Sequence, residues 1–189
     1  ARAVLAACYA GVVATALVGA LAAAGLLPVP GAWDGRSLMS TLQYKNAFAA
    51  YLATGCVAGM GLATAARSGW RVALAGANAL LVVLLFATQS RGGWVIFPVG
   101  LGLLWWWVPA AYRYRALFHA VLFVTAGLVA VRPFYGALTG GAGGRALVWL
   151  AAAAAAAGLA QLAYEGLAAW LNRPEVPDAT RRLVARGGA

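Results

Sequence analysis

Long apolar runs alternate with short polar segments along the chain. A membrane-spanning helix needs about 20 mostly apolar residues, with roughly 17 to 25 tolerated. Six runs qualify, at 3–27, 47–66, 72–88, 94–111, 116–131 and 146–171. The fifth is short and can be extended through Pro133. Because only helices satisfy their own backbone in lipid, each run is predicted to be a helix. Residues 1–171 are thus predicted to form an all-α, polytopic transmembrane helical bundle of about six spans.

Composition agrees with a place in the bilayer. The chain is 64% hydrophobic and 10% charged, whereas soluble domains carry roughly 25% charged residues. Its formal charge of +10 comes from 14 Lys and Arg against 4 Asp and Glu. In a soluble protein this excess would suggest a nucleic-acid partner. Here the basic residues flank the apolar runs, so anionic membrane lipids explain the charge and no nucleic acid is expected.

The basic residues also predict an orientation in the membrane. With the N-terminus in the cytoplasm, nine basic residues face inward and five face outward, as the positive-inside rule requires. All eight tryptophans then fall near one interface or the other, where aromatic belts form. Residues 172–189 are polar and basic and contain Pro174 and Pro177, so we predict either a short cytoplasmic tail or the start of a longer loop. The five outward residues form a basic rim, comprising Arg36, Lys45, Arg91, Arg132 and Arg145.

Arg91 is the most informative member of the basic rim. It lies in the segment Thr88–Gly93, between the third and fourth apolar runs. A cation at the mouth of two spans is costly to place near hydrocarbon and is therefore a functional-site hypothesis. A guanidinium suits phosphate oxygens, and the two glycines after it allow a ligand to approach the backbone. The alternative is an arginine that snorkels to the lipid headgroups.

The first outward loop, Pro28–Asn46, runs directly into the second span. Asn46 can cap that helix. Alternatively, the outward helix N-terminus, helped by Lys45, can bind an anion. Arg132 and Arg145 flank a second loop, the glycine-rich segment Gly136–Gly144. That segment lacks the spacing of a P-loop, which favours a flexible turn over a phosphate cradle.

The other polar residues have structural interpretations. His119 is expected on the cytoplasmic side, where a hydrogen bond between helices is its default role. Gly55 and Gly59 are spaced for close helix packing, and Glu165 can pair with an arginine of the tail. The sequence shows no metal-ligand cluster, paired carboxylates or nucleotide motif, so neither a metal nor a cofactor is predicted.

Two motifs together resemble the bacterial O-antigen ligase/polymerase family. The first is Ser40-Thr41-Leu42-Gln43-Tyr44-Lys45-Asn46-Ala47, entering the second span, and the second is Ser90-Arg91-Gly92. Members of that family typically show a Tyr-Pro-Asn-Ala-like run and then a Ser-Arg-Gly motif at the outer end of a later span. Lys45 stands where proline is frequent. The resemblance covers residues 35 to 94, about a third of the chain.

The resemblance implies a multi-pass glycosyltransferase of the bacterial inner (plasma) membrane that is part of a larger GT-C-like bundle. Its donor would be a glycan on undecaprenyl pyrophosphate, and its acceptor lipid A-core, another glycan or a protein. Arg91 matches the family arginine thought to hold the pyrophosphate without a metal and is the candidate catalytic residue. Arg36, Tyr44 and Asn46 match the upstream motif, with Lys45 beside them. Arg132 shares the rim, and Arg145, followed closely by Trp149, echoes a second family arginine.

The chain also departs from the family pattern. Family members carry a large outer loop with a histidine proposed as the general base, whereas the single histidine here, His119, is expected on the other side. The resemblance therefore implies a truncated chain or a divergent member without the complete active site. Ligase and polymerase activity both stay open. Two other classes also stay open: a transporter whose outer cations recruit an anionic solute, and a structural membrane subunit.

Overall fold

The computed structural model describes residues 2–171, and the predicted tail at 172–189 lies outside this range. The described residues form six α-helices and one 3₁₀ turn at Ser40–Leu42, without a β-strand among them. The helices are α1 (Arg2–Ala23), α2 (Lys45–Ala65), α3 (Ser68–Ala87), α4 (Arg91–Trp107), α5 (Ala110–Thr139) and α6 (Gly143–Leu171). The predicted all-α transmembrane bundle is confirmed as a helical architecture.

Five of the helices are long and apolar enough to cross a membrane: α1, α2, α3, α5 and α6. The remaining helix, α4, has 17 residues and contains Pro98, so it lies at the lower limit of the length that spans hydrocarbon. In contrast, α5 has 30 residues, far more than the predicted 116–131. At 1.5 Å per residue it is about 45 Å long, the thickness of a bilayer with its headgroups. Apolar runs predict only the part of a helix that lies in hydrocarbon.

Helix α3 is the centre of the bundle. It contacts each of the other five helices, and the continuous run Leu81–Leu85 in its second half is fully buried. The outer helices instead expose large apolar side chains, among them Val95, Val99 and Leu103 on α4. A soluble monomer rarely exposes apolar patches of this extent. The long apolar helices and their exposed apolar surface indicate a membrane protein.

Close helix approaches occur at glycines. A Cβ on Gly55 would lie 2.5 Å from Val12 Cγ1, and one on Gly59 would overlap the side chain of Asn78. The prediction that these two glycines serve close packing is therefore confirmed. Beside them, the buried Tyr9 hydroxyl donates to Asn78 Oδ1 at 2.9 Å, which joins α1 to α3.

Consecutive helices run in opposite directions, which gives the bundle two ends. We name them the Arg91 end, where α2, α4 and α6 begin, and the His119 end, where α3 and α5 begin. Two contacts at the Arg91 end illustrate the arrangement. The amide of Leu38 donates to the carbonyl of Ala87 at 3.1 Å, and Gly143 packs against the backbone of Ala24.

A buried polar network joins three helices towards the His119 end. His119 Nδ1 lies 3.1 Å from Gln161 Oε1, which confirms the predicted bond between helices. Gln161 Nε2 donates to Glu165 Oε1 at 2.8 Å. Glu165 itself pairs with Arg71 of α3 through two contacts of 2.6 Å. The antiparallel packing of α3 and α6 brings Arg71 beside Glu165, whereas the tail arginines that the sequence offered as its partner lie outside the described residues.

A candidate anion-binding site

A cavity of about 720 Å³ opens at the Arg91 end of the described part of the chain. That volume lies within the range of small-molecule sites. Its lining combines three cations with one acid and several neutral polar groups. The residues that line it are Asp34, Arg36, Ser37, Lys45, Asn46, Gln89, Ser90, Arg91, Gly92 and Trp94. The cavity is therefore polar, although it lies at the end of an apolar bundle.

A tight turn between α3 and α4 positions Arg91. The turn passes through Gln89 in the left-handed region, at φ +56°, and Ser90 caps α4 by accepting a hydrogen bond from the amide of Gly93. Serine is a favoured N-cap because its hydroxyl satisfies one of the free amides of the first turn. Arg91 is consequently the first residue of α4, and its own amide and that of Gly92 have no acceptor within the helix.

Asn46 has a different role from the predicted cap. Tyr44 is the N-cap of α2 and makes no side-chain capping bond, whereas Lys45 is the first residue of the helix. The Asn46 amide nitrogen donates to the Tyr44 hydroxyl at 3.0 Å, and its oxygen accepts from Ser90 Oγ at 2.9 Å. The capping prediction was wrong because helix α2 starts one residue earlier than Asn46. Asn46 instead ties the beginning of α2 to the beginning of α4.

The parallel packing of α2 and α4 keeps these two N-termini side by side. A Cβ on Gly93 would lie 2.5 Å from Ala49 Cβ, so the helices touch there without a side chain between them. Each N-terminus carries a partial positive charge of about half an elementary unit. Free amides and aligned dipoles at a helix start form a ready anion site. Here Lys45 and Arg91 add full charges to both helix starts.

The first loop completes the cavity and is held by hydrogen bonds. Asp34 Oδ1 accepts from the amides of Arg36 and Ser37, and the Tyr135 hydroxyl donates to the Arg36 carbonyl at 2.8 Å. Trp33 packs edge-on against the Tyr135 ring, with the two ring centroids 6.1 Å apart. These contacts to α5 keep Arg36 over the helix starts, which no local sequence pattern predicts.

Asp34 remains ionised among these cations. Partial desolvation raises its pKa, but hydrogen bonds from the amides of Ser37 and Arg36 and the charge of Lys45 outweigh that effect. The pKa of Asp34 consequently lies below its ordinary value. The cavity therefore contains three positive charges and one negative charge near neutral pH, so its net charge favours an anionic ligand.

Trp94 is a member of the site that sequence reasoning placed only at the membrane interface. Its ring stacks on Phe86 with centroids 5.5 Å apart, and its Nε1 is buried without a hydrogen-bond partner in the described structure. A buried indole N–H normally finds an acceptor. Trp94 follows Arg91 by three residues, about one helical turn, and this spacing could have predicted that both side chains lie on the same side of α4.

The structure brings together only part of the predicted site. Four of the predicted residues line the cavity: Arg36, Lys45, Asn46 and Arg91. Tyr44 does not line it, but its hydroxyl accepts a hydrogen bond from Asn46. Arg132 and Arg145 are exposed and do not line it.

The glycine-rich segment between those two arginines is also shorter than predicted. Helix α5 continues through Thr139, and the turn occupies only residues 140–142 before α6 begins. Gly141 takes a positive φ of +72° there, a backbone conformation that glycine adopts without strain.

Residues 2–171 contain no cluster of three His, Cys, Asp or Glu side chains that could hold a metal ion. No family model, curated protein or solved structure matches this chain.

Proposed function

We propose that the cavity at the Arg91 end binds the pyrophosphate of a lipid-linked glycan, and that the protein is, or is part of, an O-antigen ligase-like glycosyltransferase. In this proposal the protein lies in a bacterial inner membrane with the Arg91 end outward. The donor is a glycan on undecaprenyl pyrophosphate, and the acceptor is lipid A-core or another glycan or protein. A polymerase of the same type would use the same cavity.

One observation carries the proposal. Two motifs separated by more than 40 residues, around Lys45-Asn46 and Ser90-Arg91, meet at adjacent helix starts through the bond between Ser90 and Asn46. Together with Arg36 they supply three cations and two helix dipoles to one polar cavity. A pyrophosphate leaving group gains negative charge as its bond to the sugar breaks. Fixed cations and dipoles aimed at that charge stabilise the transition state.

Arg91 is the residue on which the proposal depends most. Its planar fork can bind two phosphate oxygens through parallel hydrogen bonds, a geometry that the point-like ammonium of lysine lacks. By analogy with the loss of one donor from an oxyanion hole, Arg91→Ala should lower the transfer rate on the order of 10²- to 10³-fold. Arg91→Lys should retain part of the binding, because it keeps the charge and loses only the fork.

The test measures two quantities for each variant. The purified protein in detergent is titrated with undecaprenyl pyrophosphate, and glycan transfer is assayed in membranes that supply the lipid-linked donor. Arg132→Ala is the matched control, since it removes the same charge from an exposed site that does not line the cavity. Near-normal binding and transfer by both Arg91 variants would refute the proposal. An equal loss in the control would show that only the overall charge matters.

A transporter is distinguished by its product. Proteoliposomes that move the lipid-linked glycan or another anion across the bilayer, without any covalent transfer product, would replace the proposal with transport.

A further inference from the structure

Glycan transfer to a hydroxyl requires a group that accepts the proton of that hydroxyl. His119 does not meet this requirement, because it is buried away from the cavity and bonded to Gln161. Residues 2–171 contain two acids, Asp34 and Glu165. Glu165 is paired with Arg71, whereas Asp34 lines the cavity together with Arg91.

We propose that Asp34 is the general base that activates the acceptor hydroxyl, an assignment that rests on the proposed function. Its two hydrogen bonds from the loop amides both reach Oδ1. They fix the orientation of the carboxylate, and no hydrogen bond from another described residue reaches Oδ2. A general base must be ionised and within hydrogen-bond reach of the proton it takes. Asp34 is ionised near neutral pH and lines the cavity in which the pyrophosphate would be held.

The step balances without a further reactant. The acceptor oxygen forms a bond to the anomeric carbon of the donor sugar as its proton passes to Asp34 Oδ2. The bond between that carbon and the phosphate oxygen breaks, and its electron pair leaves with the pyrophosphate. Arg91, Arg36 and Lys45 stabilise the charge that develops there. The proton on Asp34 is then released to solvent through the open cavity, which restores the carboxylate.

Asp34 also has a structural role that the test must separate from catalysis. Its Oδ1 holds the turn Asp34–Ser37 together, and an asparagine can accept the same two amide hydrogen bonds. Asp34→Asn therefore keeps the turn and removes only the basicity. Asp34→Ala removes both, and Asp34→Glu keeps a carboxylate in a shifted position.

The experiment measures undecaprenyl pyrophosphate binding and single-turnover glycan transfer for these three variants of the membrane protein. We expect Asp34→Asn to bind the lipid pyrophosphate as well as the unchanged protein or more tightly, because a carboxylate repels the diphosphate. Its transfer rate should fall about 10²- to 10⁴-fold, the usual contribution of a general base. Asp34→Glu should recover part of that rate, whereas Asp34→Ala should not.

Each other outcome has a definite meaning. Normal transfer by Asp34→Asn would overturn the assignment and leave the proposed function standing. Loss of both binding and transfer in Asp34→Asn would overturn it as well, because the carboxylate would then serve the shape of the site. If the unchanged protein binds no lipid pyrophosphate and makes no transfer product, the proposed function fails, and this inference with it.

Discussion

The contact between α2 and α4 at Gly93 offers a direct test of how packing builds the site. A methyl group in Gly93→Ala would lie 2.5 Å from Ala49 Cβ and 3.2 Å from Leu85 Cδ1. Carbon atoms pack at about 3.5 to 4.0 Å, so the two surfaces must separate by roughly 1 Å. Ala49 has no flexible side chain to move aside, and the backbones of the helices must therefore shift.

The expected cost follows from two opposing terms. Overpacking of this kind destabilises by about 1 to 3 kcal/mol, whereas replacing a helical glycine by alanine returns up to about 1 kcal/mol. The net loss relative to the unchanged protein is about 0 to 2 kcal/mol, or up to roughly 8 °C in the midpoint of thermal unfolding for a chain of this size. Because Gly93 accompanies Arg91 in the first turn of α4, the shift should also weaken undecaprenyl pyrophosphate binding.

Gly102→Ala is the matched control. Gly102 lies in the same helix, and a Cβ there would meet no atom within 4 Å. It should leave thermal unfolding unchanged or raise its midpoint slightly, and binding should stay normal. Both variants would be compared by circular dichroism during heating in detergent, and then by titration with the lipid pyrophosphate. Equal unfolding midpoints for Gly93→Ala and Gly102→Ala would refute the reasoning about close approach.

Two further predictions concern charges. Arg71→Met leaves Glu165 as an uncompensated carboxylate that is only 13% exposed. Thermal unfolding should therefore show a destabilisation of about 3 to 5 kcal/mol. The double variant with Glu165→Leu should recover much of this loss, and no recovery would contradict the ion-pair explanation. The pKa of Asp34 is lower in the folded protein than its ordinary value, so its contribution to stability is present above that ordinary value and is lost as pH falls through the folded pKa. Unfolding midpoints measured from pH 6 down to pH 3 should therefore fall more steeply for the unchanged protein than for Asp34→Asn. Parallel curves would show that the pKa of Asp34 is not lowered by folding.

Local sequence was sufficient for the helices but not for their ends. Apolar runs predict helices because a backbone in hydrocarbon must bond to itself, and six helices are found where six runs were predicted. The ends depend on polar residues, which satisfy backbone groups in several ways. Asn46 looked like a cap, yet α2 begins at Lys45, and α5 continues well beyond Arg132 through Pro133 to Thr139.

Charge pattern likewise identified more cations than the site contains. All five residues of the basic rim were predicted on the outward side of the membrane, but only Arg36, Lys45 and Arg91 of them line the cavity. The selection comes from the parallel contact of α2 with α4 and from the loop held by Tyr135. Neither contact has a signature within a short stretch of sequence, since each joins residues far apart in the chain.

By itself, the sequence determined the helical class, the apolar surface and the short motif around Arg91. These depend on hydrophobicity and on residue types within a few positions of each other. Only the tertiary structure decided that Asn46 bonds to Ser90, that Arg71 pairs with Glu165, and that Asp34 shares a cavity with Arg91. The physical reason is that a site of this kind consists of contacts between helices, and these depend on which helix faces touch. Gly93, which has no side chain, allows α2 and α4 to approach more closely there than any other residue would.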